Sequence, residues 1–183
     1  VEREPVHRVL IEARLVDLVS GDLAYAKRYR AGISAAPVAA HTLANDLVQV
    51  FTGRQGPFLS RIAFISDRTG SSELWVMDWD GDNPKQLTKH GTIALAPAWS
   101  PDGKKMAFVS KRSGTPQIYI KDLESDHTKR LTFQGGYNTQ PRWSPRGDKI
   151  VYSSRDNGEF NILVIGVDGK GPVQLTQNFG NNE

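Results

Sequence analysis

Cysteine is absent from the 183-residue chain, which removes thiol nucleophiles, disulfides and every cysteine-ligated metal site. Its absence does not assign a compartment, because cytoplasmic and exported proteins alike can lack it. Also missing is any apolar run near the roughly 18–20 residues that a membrane-crossing helix needs. The opening VEREPVHRVL has neither the basic start nor the sustained apolar stretch of a signal peptide, so an exported protein would be represented here by a mature form or a cut piece. Neither charge sign dominates. Lys and Arg number 23 against 20 Asp and Glu, and residues 1–57 hold 7 and 6 of them. No basic face stands out, and nucleic acid is not expected as a partner. With 38% hydrophobic and 23% charged residues, the composition is that of a folded globular chain long enough for one or two domains.

What the sequence does have is a repeat. RIAFISDRTGSSELWVMDWDGDNPKQLT aligns without gaps on KMAFVSKRSGTPQIYIKDLESDHTKRLT and on KIVYSSRDNGEFNILVIGVDGKGPVQLT, at a period of 44 residues. Ile62, Met106 and Ile150 correspond, as do Ser66, Ser110 and Ser154, then Gly70, Gly114 and Gly158. The pairs Leu87-Thr88, Leu131-Thr132 and Leu175-Thr176 close the units. Between units, APAWSPDGKK matches QPRWSPRGDK, setting Trp99 and Trp143 in register.

Each unit reads as four short strands. In the second, residues 97–100 form a first strand and Ser100-Pro101-Asp102-Gly103 a turn. Residues 105–111 form a second strand, with Met106, Phe108 and Ser110 on one face and Ala107 and Val109 on the other. Arg112-Ser113-Gly114 turns the chain, residues 117–122 form a third strand and residues 129–133 a fourth. Four strands in 40–45 residues is the arithmetic of a propeller blade. The fold class is therefore mainly β: about three blades of a propeller, in units starting near 62, 106 and 150. Trp99 and Trp143 read as blade-packing residues rather than a ligand-stacking pair.

Residues 1–57 stand outside the repeat as a small α/β unit, and 58–183 form the blades. Residues 6–17 alternate, with Val9, Ile11, Ala13 and Leu15 on one side, Ser20-Gly21-Asp22 turns, and residues 23–30 return. Residues 37–51 read as a helix on the spacing of Ala40, Leu43, Ala44, Leu47, Val50 and Phe51, with Pro37 near its start and Gly53 just past its end.

No catalytic or metal constellation emerges. His7, His41, His90 and His127 lie in separate elements without ligand spacing. His41 reads as a solvated helix residue and His127 as a turn residue. The run Asp78-Trp79-Asp80-Gly81-Asp82-Asn83 invites a calcium reading, but an EF-hand loop needs glycine sixth and glutamate twelfth, and Gly81 is fourth and Lys89 twelfth. A hairpin turn, paralleled by Val167-Asp168-Gly169, is the simpler account. Neither metal nor cofactor is expected.

In a propeller the loops from fourth strand to next first strand, and from second to third strand, open on one face. The partner-facing candidates are accordingly the loops 89–94 and 134–139, with His90, Thr92, Tyr137, Asn138 and Thr139, joined by Arg68, Arg112 and Arg155 from the second set.

The first repeat with the PAWSPDGKKMAFVS that follows, preceded by LVDLVSGDLAYAKRYR and the helix ending at Gly53, resembles the TolB family over essentially the whole chain. The resemblance implies a six-bladed ring of which this chain holds about half, after the close of an N-terminal α/β domain, so that the chain reads as part of a longer protein. It further implies a non-enzymatic periplasmic protein of the Tol–Pal system that holds the peptidoglycan-associated lipoprotein Pal, contacts other Tol proteins and meets membranes only through its partners. Support of outer-membrane integrity and cell division, and exploitation by colicins, are implied with it. The alternative is the propeller of a prolyl-oligopeptidase-like serine peptidase. Its hydrolase domain needs a G-x-S-x-G elbow, which this sequence lacks. Because residues 62–90 supply only the second to fourth strands of their blade, its inner edge should be unpaired, and the isolated chain is expected to self-associate.

Overall fold

The computed structural model describes residues 8–156 and 158–176. Val6, His7 and the tail 177–183 lie outside the described residues.

Two compact units are present, Val1–Ile62 with Asp78–Asn83, and Ala63–Met77 with Pro84–Glu183. In the first unit, strands β1 (Arg8–Val16) and β2 (Leu23–Gly32) pair antiparallel. Exposure along β1 alternates residue by residue, with Val9, Ile11, Ala13 and Leu15 on the covered side, as their spacing requires. The Asp17 carboxylate accepts the N–H groups of Val19 and Ser20 and so shapes the turn. Helix α1 (Ala36–Thr52) follows a single 3-10 turn and ends at Gly53, whose φ of +70° is the left-handed cap that glycine adopts without strain. Its expected apolar face is only partly covered. Leu43, Ala44 and Leu47 are half-buried, whereas Ala40, Val50 and Phe51 are exposed. The buried helix residue is Asn45, because its Oδ1 accepts the N–H of Phe58 at 3.0 Å. A Cβ on Gly56 would lie 2.6 Å from that same oxygen, so the close approach needs glycine.

His41 is not solvated as expected. Its Nε2 lies 3.0 Å from Asp80 and its ring meets Trp79 edge-on, while Trp79 also takes the edge of Phe58. The acidic turn is a hairpin: Gly81 has a φ of +93°, its N–H donates to the Asp78 carbonyl, and Asn83 donates to the Asp78 carboxylate.

The blades are β3 (Arg61–Ser66), β4 (Glu73–Asp78) and β5 (Lys85–Gln86), then β6 (Ala94–Trp99), β7 (Lys105–Ser113), β8 (Thr115–Asp122) and β9 (Thr128–Arg130), then β10 (Tyr137–Trp143), β11 (Lys149–Asp156), β12 (Glu159–Gly166) and β13 (Val173–Gln174). Each set is a separate antiparallel sheet in sequence order, and the first has three strands with β3 at its edge. Several strand boundaries differ from expectation, among them the start of β8 at Thr115 rather than at residue 117. Strands β6 and β10 start earlier, at Ala94 and Tyr137, because pairing with the second strand continues past a bulge in each. Strand β7 runs on to Ser113 through a bulge. Strand β9 stops at Arg130 because the next N–H of the third strand, that of Ile118, is taken by a side chain, Thr132 Oγ1, instead of a backbone carbonyl.

Alternation in β7 places side chains against both neighbouring sheets. Met106 and Phe108 pack with Leu74, Ala94 and Tyr119, while Ala107 packs with Ile118, Ile120, Leu131, Ile150, Tyr152 and Ile165. Burying one such side chain contributes about 1.5–3 kcal/mol. Trp99 and Trp143 pack against these two clusters, and the Trp143 indole donates to the Ala98 carbonyl at 3.0 Å. They are packing residues.

Candidate functional site

The Leu-Thr pair that closes each unit makes the same two-point clamp in all three. The leucine N–H donates to the carbonyl of Leu74, Ile118 or Ile162, and the threonine hydroxyl oxygen accepts that residue's own N–H at 2.9 Å. The hydroxyl then donates one residue further back, to Glu73, Gln117 or Asn161. This acceptor position holds the following loop. The free oxygen of buried Glu73 accepts the N–H groups of His90 and Gly91 at 2.7 and 2.8 Å. Gln117 Oε1 accepts from Asn138, and its Nε2 donates to the Gly135 carbonyl. Satisfying loop backbone with buried side chains fixes loop position, since an unmade buried hydrogen bond costs about 1–3 kcal/mol. These anchors were missed in the sequence, where a lone polar residue at a strand start reads as surface. A polar residue recurring every 44 positions, 15 residues before each threonine, was the available signal.

Several of the predicted residues meet beside these anchored loops, His90 on a loop and Arg112, Tyr137 and Arg155 near strand ends. Arg112 lies over the Tyr119 ring at 3.9 Å and donates from Nη1 to His90 Nε2 at 3.1 Å. A guanidinium has no acceptor, so His90 is the acceptor here and neutral. Burial first, and the Arg112 charge second, hold its pKa below the ordinary imidazole value. Tyr137 pairs with Arg155 across the β10–β11 ladder, and Tyr137 and Arg155 both address the Phe160 ring, edge-on and by cation–π contact. Arg68 stands over Trp75 and Phe64 and donates to Ser66 Oγ. It contacts none of the other candidates.

Three candidates are not loop residues open to a partner. Asn138 is fully buried, with its amide donating to Gln117 and to the Gln134 carbonyl. It holds the loop and has no surface to offer. Thr139 is half-buried in the ladder opposite Ser153, and Thr92 is half-buried two residues before the wholly covered Ala94. The exposed members are Tyr137, Arg68 and Arg155. Among the described residues no group of three or more His, Asp or Glu is arranged to hold a metal.

Antiparallel sheets of up to four strands, recurring every 44 residues and clamped by one Leu-Thr device, define the class: a β-propeller. The TolB β-propeller domain matches residues 40–183, and the chain belongs to that family. The Tol-Pal system protein TolB of Syntrophotalea carbinolica is 43% identical over 98 residues, 54% of this chain and 23% of that protein. That of Geobacter sulfurreducens is 40% identical over 97 residues, 53% of this chain and 22% of that protein. In each case the matched stretch spans less than a quarter of the relative. The crystal structure of TolB from Acinetobacter baumannii superposes with a TM-score of 0.83 at 26% identity, covering 94% of this chain and 44% of that one. A puromycin-hydrolysing peptidase is 15% identical at a TM-score of 0.54, a likeness of fold alone. Among the described residues no helix is long and apolar enough to cross a membrane.

Proposed function

We propose that the protein is a non-enzymatic interaction scaffold of the Tol–Pal system, working in the periplasm, and that its anchored loops bind the lipoprotein Pal. Residues 1–57 close an α/β domain and 58–183 form propeller blades in this reading, and other Tol proteins and colicins are its further partners. The observation that carries it is the His90–Arg112–Tyr119 stack. It joins half-buried His90, on a loop whose backbone is tied to buried Glu73, to Arg112 of β7 lying over the buried Tyr119 ring of β8, in a chain whose relatives carry the Tol-Pal system name. Pre-ordered aromatic and arginine anchors lose little entropy on binding, which is where interface energy concentrates.

The test is retention of purified Pal on the immobilised full-length protein. Wild type retains it, and His90→Ala combined with Tyr137→Ala weakens binding at least about tenfold, the scale of a hot spot. Undiminished retention by the double variant would remove the face from the reading, and no retention by wild type would remove the partner.

A further inference from the structure

The repeat allows the two blade junctions to be compared side chain by side chain, and one group of three differs in both charge and bulk. At the junction of the first and second sheets the space above the Leu-Thr clamp is filled by the chain itself, with His90, Arg112 and Tyr119 in contact. Forty-four residues on, the same three positions are Gln134, Asp156 and Leu163. The histidine ring, the guanidinium and the phenol ring are all gone, and the charge at the centre is reversed. Correspondingly Tyr119 is buried at 2% exposure, whereas Leu163 is only half-covered. All three replacements line a groove of about 340 Å³, floored by Leu131, Tyr152 and Ile165. Asp156 is the one charged residue lining it, it is exposed, and its carboxylate makes no ion pair or hydrogen bond among the described residues. Across the hairpin it faces Glu159, so no cation of the ladder neutralises it.

We propose that this groove is a binding site for an arginine side chain presented by a protein partner. The first junction is the template: a guanidinium lying flat on a side chain at the Tyr119 position and reaching the residue at the His90 position. In the second junction the partner's guanidinium takes the place of Arg112, pairs with the Asp156 carboxylate in the two-pronged geometry that planar forks and carboxylates share, and donates to the Gln134 amide oxygen. Its methylenes lie on Leu163 and Tyr152. Arginine is favoured over lysine because the site offers a flat apolar floor and a bidentate acceptor rather than a point charge.

The site is tested without Pal, so its failure and that of the Pal reading are separable. The whole chain, labelled with nitrogen-15, is titrated with acetyl-Gly-Arg-Gly-amide, with the same peptide carrying citrulline, which keeps the shape and lacks the charge, and with the lysine peptide. Saturable shifts of the Gly135, Asp156 and Leu163 amides at millimolar arginine peptide are expected, with citrulline and lysine at least about tenfold weaker, the lower value of one charge-assisted hydrogen bond. Asp156→Asn, a surface change that leaves the spectrum otherwise superposable, should lower arginine affinity to that of citrulline. Gln134→His with Asp156→Arg and Leu163→Tyr should rebuild the first junction's stack, abolish the shifts and raise the melting temperature. Equal binding of citrulline and arginine, an unaffected Asp156→Asn protein, or no saturable shift would each overturn the proposal.

Discussion

In the blade unit Met106, Phe108, Ile118 and Ile150 are wholly covered, while among the described residues of the first unit Tyr29 is the one buried hydrophobic side chain and Leu18, Val19 and Phe51 are largely exposed. Both units carry regular patterns: apolar residues at every second position on one side of β1, apolar residues on both faces of β7, and helical spacing in α1. Periodicity fixes which side chains share a face, but burial needs a second apolar surface to cover that face. A tandem repeat supplies one automatically, because each sheet meets a copy of itself on either side.

The largest effect should come from the blade core. Phe108→Ala leaves a cavity among Leu74, Met106 and Tyr119 and is expected to cost about 3–5 kcal/mol. Urea unfolding followed by tryptophan fluorescence measures it. A loss under about 1 kcal/mol would break the contrast, since only a site that collapses freely costs so little.

Next in size is the clamp. Thr132→Val keeps the shape but strips the Ile118 N–H of its acceptor and Gln117 of a donor, both buried, for an expected loss of about 1–3 kcal/mol. Thr176→Val removes the corresponding bonds in a partly covered setting, where water can replace them, so a loss below about 1 kcal/mol is expected. Equal losses would show that the hydroxyl's burial is not what gives the clamp its value.

How far the fold was legible follows from the same contrast. The 44-residue period pointed to the antiparallel sheets, the Leu-Thr pairs and the packing role of Trp99 and Trp143, because repetition turns single residues into positions. It did not show that Glu73 and Gln117 point inward, or that Asn138 is spent on Gln117 and the Gln134 carbonyl, since a polar side chain is placed by the backbone groups it must satisfy and those lie on a loop far along the chain. His41 failed for the same reason: its partners Asp80 and Trp79 are about forty residues away. Of the candidate site, the meeting of His90 with Arg112 was legible as two loops on one face, and the stack on Tyr119 was not.

Acidity separates the two units more finely. His90 titrates below the ordinary imidazole value when folded, so the unfolded chain binds more protons just under that value. The stability it contributes is intact above pH of about 6.5 and is lost as pH falls through the folded pKa. In the first unit Asp46 accepts from Lys27 at 2.5 Å and from both Tyr29 and Tyr25, and its pKa is lowered by the Lys27 bond first and the Tyr29 bond second. Its contribution is present above the ordinary carboxylate value of 3.8 and is lost only as pH falls below it. Melting temperature against pH should therefore dip first as pH falls below about 6.5 in wild type and not in His90→Gln. An identical dip in the variant would remove His90 as its cause.

The smallest effect expected is that of Phe51→Ser. Phe51 is a phenylalanine on the apolar stripe of a helix, where a reading of spacing alone makes it core and makes its loss cost several kcal/mol. It is 70% exposed, however, and lies in the last turn of α1 beside a Gly53 cap that depends on backbone alone. Little apolar area leaves water with it, and serine and phenylalanine differ little in helix propensity. The substitution should change stability by no more than about 0.5 kcal/mol, whereas Leu47→Ser, one turn earlier on the covered side, should cost clearly more. Urea midpoints of the two variants decide the point: a loss at Phe51 comparable to that at Leu47 would mean that the stripe is covered along its whole length, and that the first unit packs by the same rule as the blades.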